Sequence, residues 1–250
     1  GGMVDHRVEG EKSEVDGHKF GHRSQPVNRR PGRGAGDSHF GDGCVAHALA
    51  AVTSAGADEI VVHVNDRDGD VVTAWLAGSA GALPVRCLRR TTASSLETFA
   101  RLAPELLAGG ETHALVAMVD GVFPREGLVK FARAVARIRS GAEAGCEGLI
   151  GVTRRPDDDQ PLRVRTGADA RVLAIGPAAD GSPLSTAGLY LLPRRAILRG
   201  PELLAAGGSA LRELLAGVVE EGVALAACDL GEVVDVDRPD DLEAAEAVAR

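Results

Sequence analysis

Between residues 41 and 250, short apolar runs alternate with helical segments, and this alternation constrains the fold more than any other feature. Runs such as EIVVHVN (59–65), HALVAMVD (113–120) and EGLIGVTR (147–154) are rich in branched apolar residues, which is typical of strands buried in a parallel sheet. Strands that alternate with helices predict right-handed crossovers. We therefore expect an α/β domain in three layers, with a mixed, mostly parallel sheet and helices on both faces.

Further elements follow from local patterns. LRVRTG and RVLAIG flank a Gly-Ala-Asp turn and predict a hairpin, which would make the sheet mixed. AGLYLLP (187–193), VALAACDLG (223–231) and EVVDVD (232–237) predict strands. Helices are predicted over 44–56, from about Asp70, over 94–109 with Ser94 or Ser95 as its cap, over 124–141, over 208–222 and in the closing RPDDLEAAEAVAR.

The first 40 residues lack such a pattern. Their large apolar residues are isolated and follow no period: Val4, Val8, Val15, Phe20, Val27 and Phe40. A segment of this kind buries too little apolar surface to offset the entropy of ordering. We therefore divide the chain into a poorly patterned segment, residues 1–40, and a single α/β domain, residues 41–250.

Charge and cysteine usage narrow the class of protein. The formal net charge of −8 argues against non-specific binding to nucleic acid or to an anionic membrane. No apolar run approaches the roughly 20 residues that span a bilayer. The cysteines are too far apart for a zinc site or a disulfide framework: Cys44, Cys87, Cys146 and Cys228. We expect free thiols and a cytoplasmic protein that binds neither nucleic acid nor membrane.

Acidic residues end two of the predicted strands. Asp120 closes one apolar run and is followed by Gly121, while Asp235 and Asp237 alternate with valines and so point to one side of a strand. Ligands of open α/β sheets bind beyond the carboxyl ends of the strands. The two acidic ends could share a divalent cation, and their hard oxygen ligands suit Mg²⁺. Alternatively, these residues cap the helices that follow them or are simply solvated.

Five segments carry the clearest motifs: GCVAHALAAVTSAGADEIVVHVN, TTASSLETFARLAPEL, LVAMVDGVF, SPLSTAGLYLLPRRAI and GEVVDVDRPDDLEAAEA. In this order they resemble PLLEHVLDALLAAGVDEIVVVV, GTAGAL, LVLNGDVLF, NAGIYVF and WLDIGTPEDLLEAN of the sugar-phosphate nucleotidyltransferases. The resemblance runs from about residue 41 to residue 250 and implies a Rossmann-like sheet of the GT-A type.

The resemblance implies a reaction in which a sugar phosphate, or a similar phosphorylated small molecule, attacks the α-phosphate of a nucleoside triphosphate and pyrophosphate leaves. It places Mg²⁺ on Asp120 and Asp235, Thr92 near the nucleotide and Gly188 on the sugar side. Cytidylyltransferases of the related acid-sugar branch carry VDTPEDL, which would make Asp237 the metal ligand instead. A GT-A glycosyltransferase is a further alternative, which we rank last. Such an enzyme would normally show a DxD-type pair after a strand, where this chain has VDGV.

The triphosphate loop of the family aligns with DGHKFGHRSQPVNRRPGRG. Gly21, as a nucleotide-binding residue, and Arg23, as a catalytic residue, match this loop, but His18 and Lys19 replace its paired glycines and Gly32 replaces its lysine. Three interpretations remain open. The loop is degenerate in an inactive homologue that binds a nucleotide or a partner chain, or it is diverged but functional, or the segment is an unstructured tail. Separately, we expect a homodimer or a complex with a partner subunit.

Overall fold

The computed structural model of the chain describes residues 38–79, 83–154, 161–236, 238 and 240–249. The helices are α1 (Ser38–Ser54), α2 (Gly69–Ser79), α3 (Ser95–Leu106), α4 (Arg125–Arg139), α5 (Arg194–Ala205), α6 (Leu211–Glu220) and α7 (Asp241–Ala249), with a 3₁₀ helix at Gly176–Ala179. The strands are β1 (Ile60–Val64), β2 (Val85–Arg89), β3 (His113–Ala117), β4 (Gly121–Val122), β5 (Gly148–Thr153), β6 (Val164–Thr166), β7 (Val172–Ile175), β8 (Ser185–Pro193), β9 (Leu225–Asp229) and β10 (Val234–Asp235).

Strand direction confirms a mixed sheet, and three of the four strands in the largest sheet share one direction. The largest sheet has the order β3-β8-β5-β9, in which β8 runs antiparallel to β3 and β5 while β5 and β9 are parallel. Strands β3, β5 and β9 therefore share one direction, and β1 and β2 form a further parallel pair. The source of the antiparallel strand differs from the prediction. The β6–β7 hairpin forms a pair of its own, and β8 makes the sheet mixed.

Alternate residues of β8 show that helices cover both faces of the sheet. Tyr190 and Leu192 pack into a core with residues of α3, α5 and α6. Leu189 and Leu191 point the other way, into a second core with residues of α1 and α4. Neighbouring residues of a strand face opposite sides, so one buried strand supplies two cores. The predicted three-layer arrangement is confirmed.

Helix α5 is the main element that the sequence pattern does not predict. Gly200 and Pro201 lie inside it, and both residues normally weaken a helix interior. The structure gives a reason for the glycine, because a Cβ at Gly200 would lie 2.7 Å from the ring of Phe99 on α3. The glycine lets α3 and α5 approach closely. Helix α1 also begins six residues before its predicted start, at Ser38 instead of Cys44.

Two remaining predictions concern the cysteines and membrane-spanning helices. The four cysteines are free thiols, as expected. Among the helices described here, none has the length and apolar character needed to cross a membrane.

Candidate functional site

The short antiparallel pair β4–β10 brings Asp120 and Asp235 together. Asp235 lies opposite Gly121 in this pair, and the N–H of Val236 donates to the carbonyl oxygen of Asp120 over 2.9 Å. The backbone that follows β3 at Asp120 and the backbone of β10 at Asp235 therefore lie side by side. The structure thus joins the two acidic strand ends that the sequence pattern identified separately.

Buried valines explain why these short strands pair. Val122, Val234 and Val236 form a small core with Ala245 of α7, and each is almost fully buried. Asp235 lies between two of these valines and is exposed, because side chains alternate along a strand. Burial of the valines therefore holds the carboxylate at the surface.

Negative charge in this region contributes to raised pKa values of two other residues. Tyr190 is only 4% exposed, and burial raises its pKa to about 12, with further contributions from Asp120 and Asp235. Burial also raises the pKa of the Cys44 thiol on α1, and the charge of Asp120 adds to this effect. Tyr190 therefore stays protonated at neutral pH and lies within electrostatic range of both carboxylates. Sequence analysis identified neither residue as part of this region.

Gly188 adjoins the segment that leads to Asp120. The N–H of Met118 donates to the carbonyl oxygen of Gly188 over 2.8 Å, and the register between β5 and β8 shifts nearby. Gly188 has a φ of +74°, and a Cβ there would lie 3.1 Å from the Met118 Cβ. A larger residue would be strained and crowded, so this position requires glycine. The Tyr190 hydroxyl also bonds to the Gly188 backbone and the Thr186 side chain.

Of the remaining predicted site residues, the structure describes Thr92. Thr92 follows β2, and its hydroxyl lies 2.6 Å from the hydroxyl of Thr98 on α3. Hydrogen bonds among the described residues do not join Thr92 to either aspartate. Gly21, Arg23 and Asp237 lie outside the described residues.

His47 of α1 fixes the position of the strand segment after Asp120. Its Nε2 accepts a hydrogen bond from the backbone N–H of Phe123 over 2.8 Å, and its ring stacks on the Phe123 ring with centroids 5.8 Å apart. Burial lowers the pKa of His47, because it disfavours the charged ring. The neutral ring is the form that accepts this bond. These contacts give His47 a structural role.

The donor set of the site fits a weakly held hard cation. In the part of the chain that the structure describes, no group of three or more His, Cys, Asp or Glu side chains is placed to hold a metal ion. Two carboxylates are nevertheless a usual protein contribution to a Mg²⁺ site, since Mg²⁺ keeps several waters and takes further oxygens from substrate phosphates. Asp120 and Asp235 thus carry ligand atoms of the type that Mg²⁺ takes from proteins.

Comparison with known proteins is informative through structure alone, since no family model and no curated protein sequence matches this chain. An inositol-1-phosphate CTP transferase from T. maritima superimposes with a TM-score of 0.65 and 17% identity, covering 83% of each chain. A UDP-glucose pyrophosphorylase complexed with UDP-glucose gives a TM-score of 0.60 and 10% identity, covering 82% of this chain and 85% of the other. At such low identity the likeness concerns the fold. The chain has the fold that these two sugar-phosphate nucleotidyltransferases share.

Proposed function

We propose that the protein is a nucleotidyltransferase that transfers a nucleotidyl group from a nucleoside triphosphate to a sugar phosphate or similar phosphorylated small molecule. The observation that carries this proposal is the placement of Asp120 beside Asp235 through the β4–β10 pair. A fold shared with two proteins named for such transfers supports it. We also propose that the sheet is of the GT-A type.

The two carboxylates would hold Mg²⁺, which suits their oxygen ligands and would offset charge on the phosphates when bound. Backbone pairing and the buried valines position the segments that carry Asp120 and Asp235. Asp237 remains the alternative ligand to Asp235. Tyr190 is protonated at neutral pH, so it adds no negative charge to that of Asp120 and Asp235.

The remaining roles follow from the family resemblance. Gly188, with no side chain, leaves room on the sugar side of the site, while Thr92 would lie near the nucleotide. Gly21 and Arg23 would contact the triphosphate, where a guanidinium can neutralise phosphate charge. Catalysis would rest on holding the two substrates in line and on electrostatic stabilisation of the transferring phosphoryl group.

A second candidate function follows from one sequence observation. His18 and Lys19 stand where a triphosphate loop has paired glycines, and their side chains would keep the backbone away from phosphates. This substitution favours an inactive homologue that binds a nucleotide or acts as a partner subunit.

Pyrophosphate release decides between the two functions. The full chain is incubated with each nucleoside triphosphate, Mg²⁺ and a panel of sugar 1-phosphates. We expect Asp120→Asn and Asp235→Asn to reduce release by about 100-fold or more, as removal of a group that stabilises transition-state charge commonly does. Asp180→Asn is the matched control, because Asp180 is an exposed carboxylate after the 3₁₀ helix.

Each outcome has a definite meaning. Release that is lost in the two site variants and kept in the control supports the enzyme. Nucleotide binding without release supports the inactive homologue. Release that is unaffected by either site substitution, or the absence of both binding and release, overturns the proposed function.

A further inference from the structure

Strand β8 contains a bulge next to the end of β3. Ile150 of β5 pairs with Tyr190, whereas Val152, two residues further along β5, pairs with Thr186. One residue of β5 therefore faces three residues of β8, numbers 187–189, which we call the β8 bulge. Bulges bend a strand and redirect its neighbours, and they are frequent next to active sites. The β8 bulge is therefore a candidate for shaping the end of β3.

The β8 bulge contacts the chain on both sides of Asp120. Before Asp120, the N–H of Met118 donates to the carbonyl oxygen of Gly188 over 2.8 Å. After Asp120, a Cβ at Gly121 would lie 3.6 Å from the carbonyl oxygen of Ala187, so the two backbones are close there as well. Two consecutive residues of the bulge thus contact the residues that flank Asp120 in space.

The bulge is also packed closely against its other neighbour, β5. A Cβ at Gly151 would lie only 3.0 Å from the carbonyl oxygen of Leu189. Within the bulge, Gly188 has the left-handed φ described above and lies against Met118. Backbone packed in this way on two sides cannot shift without moving its neighbours. A change in the bulge is therefore transmitted to the segment after β3.

Tyr190 connects the parts of the bulge. Its side chain is only 4% exposed, and its ring lies in the core against which Met118 also packs. Its hydroxyl bonds to the side chain of Thr186, at the other end of the bulge, and to the backbone of Gly188, in the middle. One buried phenol therefore ties together the two ends and the centre of the bulge.

The ring and the hydroxyl of Tyr190 make separable contributions. The ring fills space in the core, and a phenylalanine ring would fill the same space. The hydroxyl alone reaches Thr186 and Gly188. A buried hydrogen bond contributes to stability and also restricts the geometry of the groups that it joins. Removal of the hydroxyl therefore tests its effect on the bulge apart from core packing.

We propose that Tyr190 is a positioning residue for the Asp120–Asp235 site: its hydroxyl fixes the β8 bulge, and the bulge fixes the backbone that carries Asp120. The catalytic consequence rests on the proposed function, whereas the coupling between hydroxyl and backbone does not. Tyr190 acts through the backbone of Gly188 and Met118. A displaced bulge would change how the two acidic segments lie relative to each other, and with it their affinity for a shared cation.

Amide exchange tests the coupling in the absence of any substrate. Tyr190→Phe keeps the ring and removes the hydroxyl. We expect the amides of Met118 and Val236, which donate to the carbonyl oxygens of Gly188 and Asp120, to exchange faster in this variant. The expected increase is about three- to tenfold, which corresponds to the net contribution of one hydrogen bond. Exchange is measured by NMR on the full chain, where it reports local opening.

Two further variants make this measurement specific. Ser182→Ala is the matched control, because its hydroxyl donates to the carbonyl oxygen of Val164 over 2.6 Å, outside the bulge. It should leave both amides unchanged. Thr186→Val removes a partner of the Tyr190 hydroxyl. Combined with Tyr190→Phe, it should give no faster exchange than Tyr190→Phe alone, because both substitutions break the same bond.

Pyrophosphate release tests the consequence for the site. We expect Tyr190→Phe to raise the Mg²⁺ concentration at half-maximal release by about three- to tenfold. The rate at saturating Mg²⁺ should stay close to that of the parent protein, because both aspartates remain. A smaller folded fraction would instead lower the rate in the same proportion at every Mg²⁺ concentration. The shape of the Mg²⁺ dependence thus separates positioning from a general loss of stability.

The outcomes distinguish this proposal from the proposed function. Unchanged exchange of both amides in Tyr190→Phe would overturn the positioning role, whether or not the protein transfers nucleotides. Faster exchange with an unchanged Mg²⁺ dependence would also overturn it. If the parent protein releases no pyrophosphate, Mn²⁺ binding followed by electron paramagnetic resonance replaces release as the readout. A weaker Kd for Mn²⁺ in Tyr190→Phe supports the positioning role, while an equal Kd, or no binding by the parent protein, overturns it.

Discussion

Val236 donates its backbone N–H to the carbonyl oxygen of Asp120 over 2.9 Å, and this bond ties together two distant parts of the chain. Because Asp235 immediately precedes Val236, the same bond brings the backbone of Asp235 beside that of Asp120. Two like charges in proximity disfavour each other unless a cation or a hydrogen-bond donor offsets them. A divalent cation held by both carboxylates, as we propose, would offset such repulsion.

Mg²⁺ is expected to stabilise the folded protein through this pair. A cation that binds only the folded state raises the unfolding free energy by about 2.7 kcal/mol at a concentration ~100 times its Kd. We expect Mg²⁺ to raise the Tm of the parent protein and of Asp180→Asn, but to raise that of Asp235→Asn much less. Thermal unfolding at matched ionic strength measures this shift. Equal shifts in all three proteins would contradict a cation site at Asp235.

His47 makes the stability of the fold depend on pH. Burial lowers the pKa of His47 in the folded state, so the unfolded chain binds more protons between this value and the ordinary pKa of about 6.5. The contribution of His47 is therefore fully present above pH ~6.5 and is lost as the pH falls through that value toward the folded-state pKa.

The substitution His47→Gln isolates this effect. A glutamine oxygen can accept the Phe123 N–H but does not titrate in this range. We expect the pH dependence of the urea midpoint between about pH 7.5 and 5 to be smaller in the variant. Burial also lowers the pKa of His63, but this contribution is common to both proteins and cancels in the comparison. Parallel pH profiles would show that His47 does not carry the dependence.

The fold was predictable where local pattern and burial agree. All six residues of β5 are buried. The apolar composition of the run that contains β5 indicates such a buried strand without further information. Helix α5 was not predictable, because Gly200 and Pro201 are unfavourable within a helix and the gain from packing Gly200 against Phe99 is visible only in three dimensions. Tertiary packing outweighed local propensity there.

The candidate site was predictable in part. The pattern of charge after apolar runs identified Asp120 and Asp235, but their pairing depends on two strands of two residues each, which are too short to leave a periodic signal. Tyr190 could have been recognised as a buried residue of the predicted strand 187–193, whereas nothing in the sequence indicates that its hydroxyl lies near the acidic pair. Nothing in the sequence indicates that Cys44 lies near Asp120.

The start of α3 offers a test of helix capping. Sequence analysis left Ser94 and Ser95 as alternatives, and the structure assigns the cap to Ser94, whose Oγ accepts the Glu97 N–H over 3.1 Å. The Glu97 carboxylate in turn accepts the N–H of Ala93, the residue before the cap, over 2.8 Å. Ser94→Ala should lower the unfolding free energy by about 1 kcal/mol in urea titration.

Ser94→Asp is the control for this prediction, because aspartate keeps an oxygen that can accept the Glu97 N–H. It should unfold at nearly the same urea concentration as the parent protein. A loss in the aspartate variant as large as that in the alanine variant would show that the serine contributes through packing, not as a cap.

Two helical glycines should respond in opposite ways to substitution by alanine. At Gly127 in α4, a Cβ would lie 2.2 Å from the carbonyl oxygen of Leu230, so Gly127→Ala must displace backbone and should cost about 1–3 kcal/mol. At Gly217 in α6, no atom lies within 4 Å of the added Cβ, so Gly217→Ala should stabilise the protein by about 0.5–1 kcal/mol through helix propensity. Urea unfolding of both variants measures the two effects, and each serves as the control for the other. Stabilisation by both substitutions would mean that α4 does not approach the end of β9 as closely as described.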